Sequence, residues 1–156
     1  LDVGVAGEFS RGDVPAINGA LRLDARSGIG GIATSGARGR SFSLGIADSV
    51  TTLAGNAAMA DVAATLVANA VNVESPAIER RAARALDPDS DLRHRLVTVS
   101  VGPLTPAEVD AALAAGAARA LDYRCRGLIA DAALMLSGQT RFLDATMSSR
   151  PERACA

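Results

Sequence analysis

The hydrophobic pattern predicts one long helix near the middle of the chain. Five apolar residues repeat at the spacing of a single helical face: Met59, Val62, Leu66, Ala70 and Val73. Four polar residues fall on the opposite face: Asp61, Thr65, Asn69 and Asn72. Because Asn56 precedes this pattern and asparagine is a favoured N-cap, we expect a helix over about residues 56–72 that buries its apolar face.

Strand and helix signals also lie on both sides of this helix. The capping-box pattern Thr105-Pro-Ala-Glu108 predicts a second helix that runs to about Tyr123. The charged residues 74–95 are typical of a solvated excursion with a short helix, and residues 8–18 are typical of a loop. Short strands are predicted from alternating or apolar runs at residues 1–6, 20–24, 28–36, 42–44, 49–53, 96–101 and 128–136.

These elements predict an α+β domain over residues 1–144, with both helices packed on a mixed or antiparallel sheet. Residues 145–156 have the composition of a disordered tail. The chain opens at Leu1 with a sequence that resembles a strand already in progress. We therefore expect an N-terminal segment of the same protein, or a homo-oligomer, to complete the sheet.

Composition narrows the possible functions. The chain has 156 residues, 49% of them hydrophobic, which suits one domain with a real core. All 16 basic residues are arginine and the net charge is −1, so lysine-based chemistry is excluded and a nucleic-acid partner is disfavoured. No apolar run is long enough to span a membrane. Cys125 and Cys155 have no metal-like spacing, which favours a reducing, cytoplasmic location.

Asp61 is the first candidate for chemistry, because it is the only ionisable side chain between Ser49 and Val73. Thr65 lies four residues later, on the same helical face. A carboxylate and a hydroxyl in this arrangement suit a hard cation such as Mg²⁺, which takes oxygen ligands. The alternative is that Asp61 only favours the dipole at the start of its helix. Spacing alone leaves both interpretations open.

The glycine-rich residues 28–45 are the second candidate. Backbone N–H groups and arginine side chains in such a segment can hold phosphate, although it matches neither the Walker pattern nor the dinucleotide fingerprint. An ordinary mobile loop is the alternative. The residues that we expect to contact a phosphorylated ligand are Thr34, Ser35, Gly36, Arg38, Arg40, Ser41 and Asp48.

Three segments in order resemble the C-terminal half of the ApbE superfamily: Ala33-Thr-Ser-Gly36, Asp48-Ser-Val-Thr-Thr-Leu-Ala54 and Ala60-Asp-Val-Ala-Ala-Thr65. In its flavin transferases the first segment contacts the flavin nucleotide, and the helix supplies aspartate and threonine ligands to Mg²⁺. The resemblance therefore implies that Asp61 and Thr65 hold Mg²⁺, that residues 34–41 bind phosphates of FAD or FMN, and that Asp48 orients the site.

The chain departs from the transferases at one motif. Their H-I-I-D-P segment is replaced here by Gly45-Ile-Ala-Asp48, without histidine or proline. Residues 39–48 are more similar to an uncharacterised cytoplasmic branch of the superfamily. Three classes of function stay open: a Mg²⁺-dependent transferase-like enzyme, a ligand-binding domain without catalysis, and a structural or assembly protein.

Overall fold

A computed structural model describes residues 2–8, 16–23, 26–39 and 41–143. These residues form eight strands and three helices. In chain order they are β1 Asp2–Glu8, β2 Ala16–Arg22, β3 Gly31–Ser35, β4 Ser49–Ala54, α1 Ala57–Ala70, β5 Ile78–Ala82, α2 Ala83–Leu86, β6 Leu96–Val101, α3 Pro106–Cys125, β7 Asp131–Leu136 and β8 Gln139–Phe142.

The described strands form one larger sheet and two ribbons. The larger sheet has the order β3-β4-β7-β8, and the ribbons pair β1 with β2 and β5 with β6. Every pair is antiparallel. All six residues of β4 and all six of β7 are buried, so these two strands lie at the centre of the structure. The predicted α+β fold class is therefore confirmed, with an antiparallel sheet.

The two long helices begin where their caps predict. The side chain of Asn56 accepts a hydrogen bond from the Met59 amide, 2.8 Å away, at the start of α1. At the start of α3, the Thr105 hydroxyl accepts from the Glu108 amide, and the Glu108 carboxylate accepts from the Thr105 amide. These side chains satisfy backbone donors that no helical turn can satisfy.

The predicted buried face of α1 is wrong. Val62 and Leu66 are 55% and 44% exposed. The buried residues lie on a different face of the helix, and four of the five are alanine: Ala60, Ala63, Ala64, Val67 and Ala68. The reason is distance, because α1 packs so closely on β3 and β4 that the Thr52 hydroxyl donates to the carbonyl of Ala60 at 2.6 Å. Larger side chains do not fit into such a narrow interface.

Other differences concern the short elements. Residues 42–44 are not a strand, and residues 16–18, which were expected to lie in a loop, belong to β2. The charged residues 74–95 contain β5 and α2, so part of that segment is paired with β6. The strand predicted from residue 128 begins at Asp131, and β8 was not predicted. The tail from residue 145 lies outside the described residues.

Among the described residues, no helix is both long enough and apolar enough to cross a bilayer.

Gly116 offers a test of the close packing between α3 and its neighbours. A Cβ at this position would lie 2.7 Å from Cδ2 of Leu134 and closer still to Cγ2 of Val71. We predict that Gly116→Ala lowers the free energy of unfolding by about 1–2 kcal/mol, because overpacking outweighs the helix propensity of alanine. Gly55→Ala is the matched control, since a Cβ there meets nothing within 4 Å, and it should be neutral or stabilising by about 0.4–1 kcal/mol. Urea titrations of both variants measure this difference, and an equal effect would contradict it.

The capping box of α3 makes stability depend on pH. The hydrogen bond from the Thr105 amide, together with those from Ser75 and the Thr105 hydroxyl, lowers the pKa of Glu108 below the ordinary value for a glutamate. The carboxylate therefore stabilises the fold above about pH 4.5, and this contribution is lost as the pH falls through the lowered pKa. We expect Glu108→Gln to be less stable than wild type at about pH 7 and to approach it at about pH 3. Denaturant titrations at both pH values measure the gap, and a constant gap would refute the linkage.

Candidate functional site

A cavity of about 450 Å³ lies between α1, the adjacent ends of β3 and β4, and the loop that joins these two strands. We call it the first cavity. It is lined by eight of the nine residues expected from the sequence to bind phosphate or metal: Thr34, Ser35, Gly36, Arg38, Ser41, Asp48, Asp61 and Thr65. The ninth, Arg40, lies outside the described residues. The structure thus brings together candidates that the sequence separates by as many as 31 positions.

The helical side of the first cavity is formed by Asp61, Thr65 and Asn69, which follow one another at intervals of four along α1. Asp61 and Thr65 are exposed to the cavity, and none of the described residues forms a salt bridge with Asp61. Asn69 has a different role, which is structural. Its side-chain carbonyl accepts hydrogen bonds from the Leu44 amide at 3.0 Å and from the Ser43 hydroxyl at 3.4 Å. Asn69 therefore fastens the β3–β4 loop to the helix, next to the two candidate metal ligands.

The sheet side of the first cavity is rich in hydroxyl groups. Thr34 and Ser35 end β3, and Ser49 begins β4. The hydroxyls of Thr34 and Thr51 are hydrogen-bonded to each other at 2.8 Å. Gly36 must be glycine here, because a Cβ would lie 2.9 Å from the carbonyl carbon of Asp48 and 3.0 Å from Cα of Ser49. The ends of β3 and β4 therefore lie close together at this wall of the first cavity.

Asp48 is held by groups from two other parts of the chain. Its carboxylate pairs with Nε of Arg38 at 2.9 Å and accepts a hydrogen bond from the Ser137 amide at 2.6 Å. Its own amide donates to the carbonyl of Met135. Arg38 and Asp48 also line a second cavity of about 240 Å³, between the β3–β4 loop and β6. The ion pair therefore forms part of the wall between the two cavities.

The charges around the first cavity favour a cation. Its described lining includes one positive side chain, Arg38, and two negative ones, Asp48 and Asp61. Since Arg38 and Asp48 neutralise each other, the net formal charge is −1 and lies at Asp61. The described side chains alone would therefore oppose an anionic ligand that enters this cavity without a counterion.

The side-chain oxygens of Asp61 and Thr65 fit Mg²⁺ only if water or a bound ligand completes its coordination. Within the described residues no cluster of three or more histidine, cysteine, aspartate or glutamate side chains is arranged to hold a metal ion. Asp61 and Thr65 would supply two oxygen ligands to such an ion, so water or a bound ligand would have to supply the others. Mg²⁺ commonly binds in this manner, through one or two carboxylates, retained waters and substrate phosphates. The residues thus suit a metal that is shared with a phosphorylated ligand.

Sequence reasoning missed the anchoring role of Asn69 and the placement of Ser49 at the first cavity. Asn69 belonged to the polar face of the predicted helix, but its partners come from a loop whose path the sequence does not specify. Ser49 carried a usable signal. It alternates with Thr51 on one face of β4, and hydroxyls at alternate positions of a fully buried strand require partners or a ligand.

Comparison with known proteins identifies a family but no individual relative. No curated protein and no solved structure gives a significant match to the chain. A family model described as "AbpE bacteria" matches residues 1–142, a range that includes the strands, helices and loop around both cavities. Because the match covers most of its length, the chain belongs to the family described as AbpE bacteria.

Proposed function

We propose that this protein binds a phosphorylated ligand together with Mg²⁺ in the first cavity, with a flavin nucleotide, FAD or FMN, as the leading candidate. One observation carries the proposal. The residues expected to bind metal and those expected to bind phosphate come from separate segments, and they line the same cavity. Its volume of about 450 Å³ lies within the range of small-molecule sites. The flavin itself rests on the ApbE-like resemblance.

The charge of the first cavity explains why metal and ligand would bind together. Mg²⁺ at Asp61 would change the net formal charge of the described lining from −1 to +1. The phosphates would then complete the coordination that Asp61 and Thr65 leave incomplete. Each would supply what the other lacks, so their binding free energies should be coupled.

The remaining residues have separate tasks in this proposal. Backbone amides and hydroxyls of Thr34, Ser35, Gly36 and Ser41 would donate to phosphate oxygens. Asp48 holds Arg38 beside the first cavity through the 2.9 Å ion pair, and the guanidinium would be available there to a phosphate oxygen. Arg40 is assigned to the same task from the sequence alone.

The proposal has two forms, a Mg²⁺-dependent transferase and a ligand-binding domain without catalysis. A bound Mg²⁺ would act as a Lewis acid on a phosphoryl oxygen, as a transferase requires. The ligand-binding form without catalysis is favoured by the replacement of the histidine-containing motif with residues 45–48. We assign no catalytic residue. The exposed free thiol of Cys125 agrees with the proposed cytoplasmic location.

An assembly role is a second candidate, favoured by the outer surface of α1. Val62 and Leu66 are exposed there, and Asp61 is the only charged residue of the helix. An N-terminal segment of the same protein or a second copy would find an apolar stripe next to the first cavity. This role predicts association in solution without any dependence on nucleotide or metal.

Asp61→Asn tests the metal site. At a hundredfold excess over its dissociation constant, FMN with Mg²⁺ should stabilise wild type by about 2.7 kcal/mol, because the ligand binds only the folded state. Asp61→Asn should lose this stabilisation, and Thr65→Val should lose part of it. Without ligands Asp61→Asn should cost well under about 1 kcal/mol, because α1 begins at Ala57 and Asp61 lies beyond the first turn, where the helix dipole acts. Thermal melts with magnesium or a chelator measure all three proteins.

Asp122→Asn is the matched control for this experiment. Asp122 is an exposed aspartate on α3 that pairs with Arg126 just after the helix. It does not line the first cavity, so its variant should respond to magnesium and FMN as wild type does. Equal stabilisation of wild type and Asp61→Asn would end the metal hypothesis at this position. The helix-dipole interpretation would not take its place, because Asp61 lies beyond the first turn of α1, and Asp61 would then be an exposed carboxylate without a ligand.

Coupling between metal and ligand is the second test of the proposed function. We expect FMN to bind at least about tenfold more tightly with Mg²⁺ than with a chelator, which corresponds to a coupling free energy of about 1.4 kcal/mol. FMN should tighten Mg²⁺ binding by the same factor, because linkage is reciprocal. Calorimetric titrations in both orders measure the two factors. Chromatography of FAD incubated with protein, Mg²⁺ and a hydroxyl-bearing acceptor peptide then separates the two forms. A transferase would break the pyrophosphate bond of FAD, pass FMN to the acceptor hydroxyl and release AMP, whereas a binding domain would leave FAD intact.

A further inference from the structure

Phe42 is the only apolar side chain among the described residues that line the first cavity, because the others are polar, charged or glycine. It is 38% exposed and belongs to neither buried hydrophobic cluster of the described residues. The other aromatic residues whose side chains are described do have such an environment. Tyr123 is buried, and Phe142 packs against one of the two clusters. Phe42 is therefore the aromatic residue that stays accessible in this part of the chain.

The backbone that follows Phe42 is held by two other elements. The Ser43 carbonyl accepts a hydrogen bond from the Thr98 amide on β6 at 2.9 Å, and the Leu44 amide donates to the side chain of Asn69 on α1 at 3.0 Å. Phe42 is thus carried by a fixed stretch of the β3–β4 loop. Its place at the wall of the first cavity follows from these tertiary contacts.

Exposure alone does not indicate a function, because single apolar side chains are common on protein surfaces. Val62, Leu66 and Leu121 are also exposed here, and none of them lines the first cavity. Phe42 differs from them in position, since it lies in a cavity whose other side chains suit phosphate and metal. An apolar ring in such a polar cavity is expected if the ligand has an apolar portion.

We propose that Phe42 contacts an aromatic ring of the ligand, so that the first cavity selects phosphorylated compounds that carry such a ring; this inference rests on the proposed function. Aromatic side chains stack on bases and other planar rings, which removes both surfaces from water. A flavin or a nucleotide base would supply this surface. A sugar phosphate would leave the ring of Phe42 in water. Phe42 is therefore a specificity-determining residue, and the polar lining holds the phosphate.

The first part of the test uses the protein without ligands. Phe42→Ala should change the melting temperature by no more than about 2 °C, because the side chain is exposed. Phe142→Ala is the matched control, since it removes a ring that packs against a buried cluster, and it should lower the melting temperature by at least about 4 °C. An equally large loss in Phe42→Ala would show that the ring supports the fold and would overturn the inference.

The second part measures FMN binding in the presence of Mg²⁺. Phe42→Ala should weaken it by about 5- to 100-fold. Phe42→Leu, which keeps an apolar side chain but no ring, should weaken it by about 2- to 10-fold. The tightening of FMN binding by Mg²⁺ should persist in both variants, because the ring contact does not involve the metal.

Each outcome of these titrations has one meaning. Unchanged FMN binding in Phe42→Ala, or wild-type binding in Phe42→Leu, would overturn the inference and leave the proposed function intact. Loss of the Mg²⁺ effect in Phe42→Ala would place Phe42 against the metal and phosphate, which also contradicts the ring contact. Absence of FMN binding by wild type would overturn the proposed function and this inference with it.

The third part detects the ring contact directly. The chain contains no tryptophan, so Phe42→Trp introduces a single indole at the first cavity. An indole in contact with a flavin quenches its fluorescence by electron transfer, so FMN bound to Phe42→Trp should fluoresce less than FMN bound to wild type. Leu121→Trp is the control, because Leu121 is exposed on α3 and does not line the first cavity. Equal fluorescence of FMN on both tryptophan variants would refute the contact.

Discussion

The close approach of α1 to the sheet is the constraint on which the rest of the structure depends. A Cβ at Gly30 or Gly31 would collide with the backbone of Gly55 and Asn56, so this edge of the sheet lies directly against the start of the helix. Alanine fills most of the buried face of α1. With 3% aromatic residues in the chain, the core gains its contacts from short distances between backbones rather than from large side chains.

This short distance also determines where the β3–β4 loop runs. A Cβ at Gly45 would collide with the backbone of Ala68, so the loop passes directly against the C-terminal part of α1. Asn69 holds it there, and Thr98 on β6 donates to the carbonyl of Gly45 at 2.8 Å. Asp48 ties its far end to the turn after β7. The described part of this loop is therefore held from several sides, which would lower the entropic cost of binding a ligand there.

The same fixation separates the charges of the first cavity. Asp48 is consumed by contacts within the protein, because Arg38 and the Ser137 amide both engage its carboxylate. Asp61 lies on the facing helix with its carboxylate exposed. The two aspartates therefore have different roles although their formal charges are equal. Asp48 stabilises the loop, whereas Asp61 remains the group that gives the described lining its negative charge.

Local signals in the sequence were sufficient for the elements whose ends are determined locally. Asn56 and the Thr105–Glu108 box place the starts of both long helices, because a cap acts within one turn. The alternation over residues 96–101 predicts β6 with its observed bounds. The spacing of Asp61 and Thr65 correctly places them side by side, since residues four apart share a helical face. The α+β class followed from these elements.

Only the tertiary structure decided which groups are buried and which groups meet. The sequence favoured Val62 and Leu66 as core residues, but the narrow space above the sheet admits the alanine face instead. β5 was not predicted, because its charged residues are typical of a solvent-exposed segment. It forms a strand because it pairs with β6, which lies further along the chain. The Arg38–Asp48 pair, the anchoring by Asn69 and the exposure of Phe42 at the first cavity all depend on the path of the β3–β4 loop. That path is determined by packing between elements far apart in the chain, which no local pattern encodes.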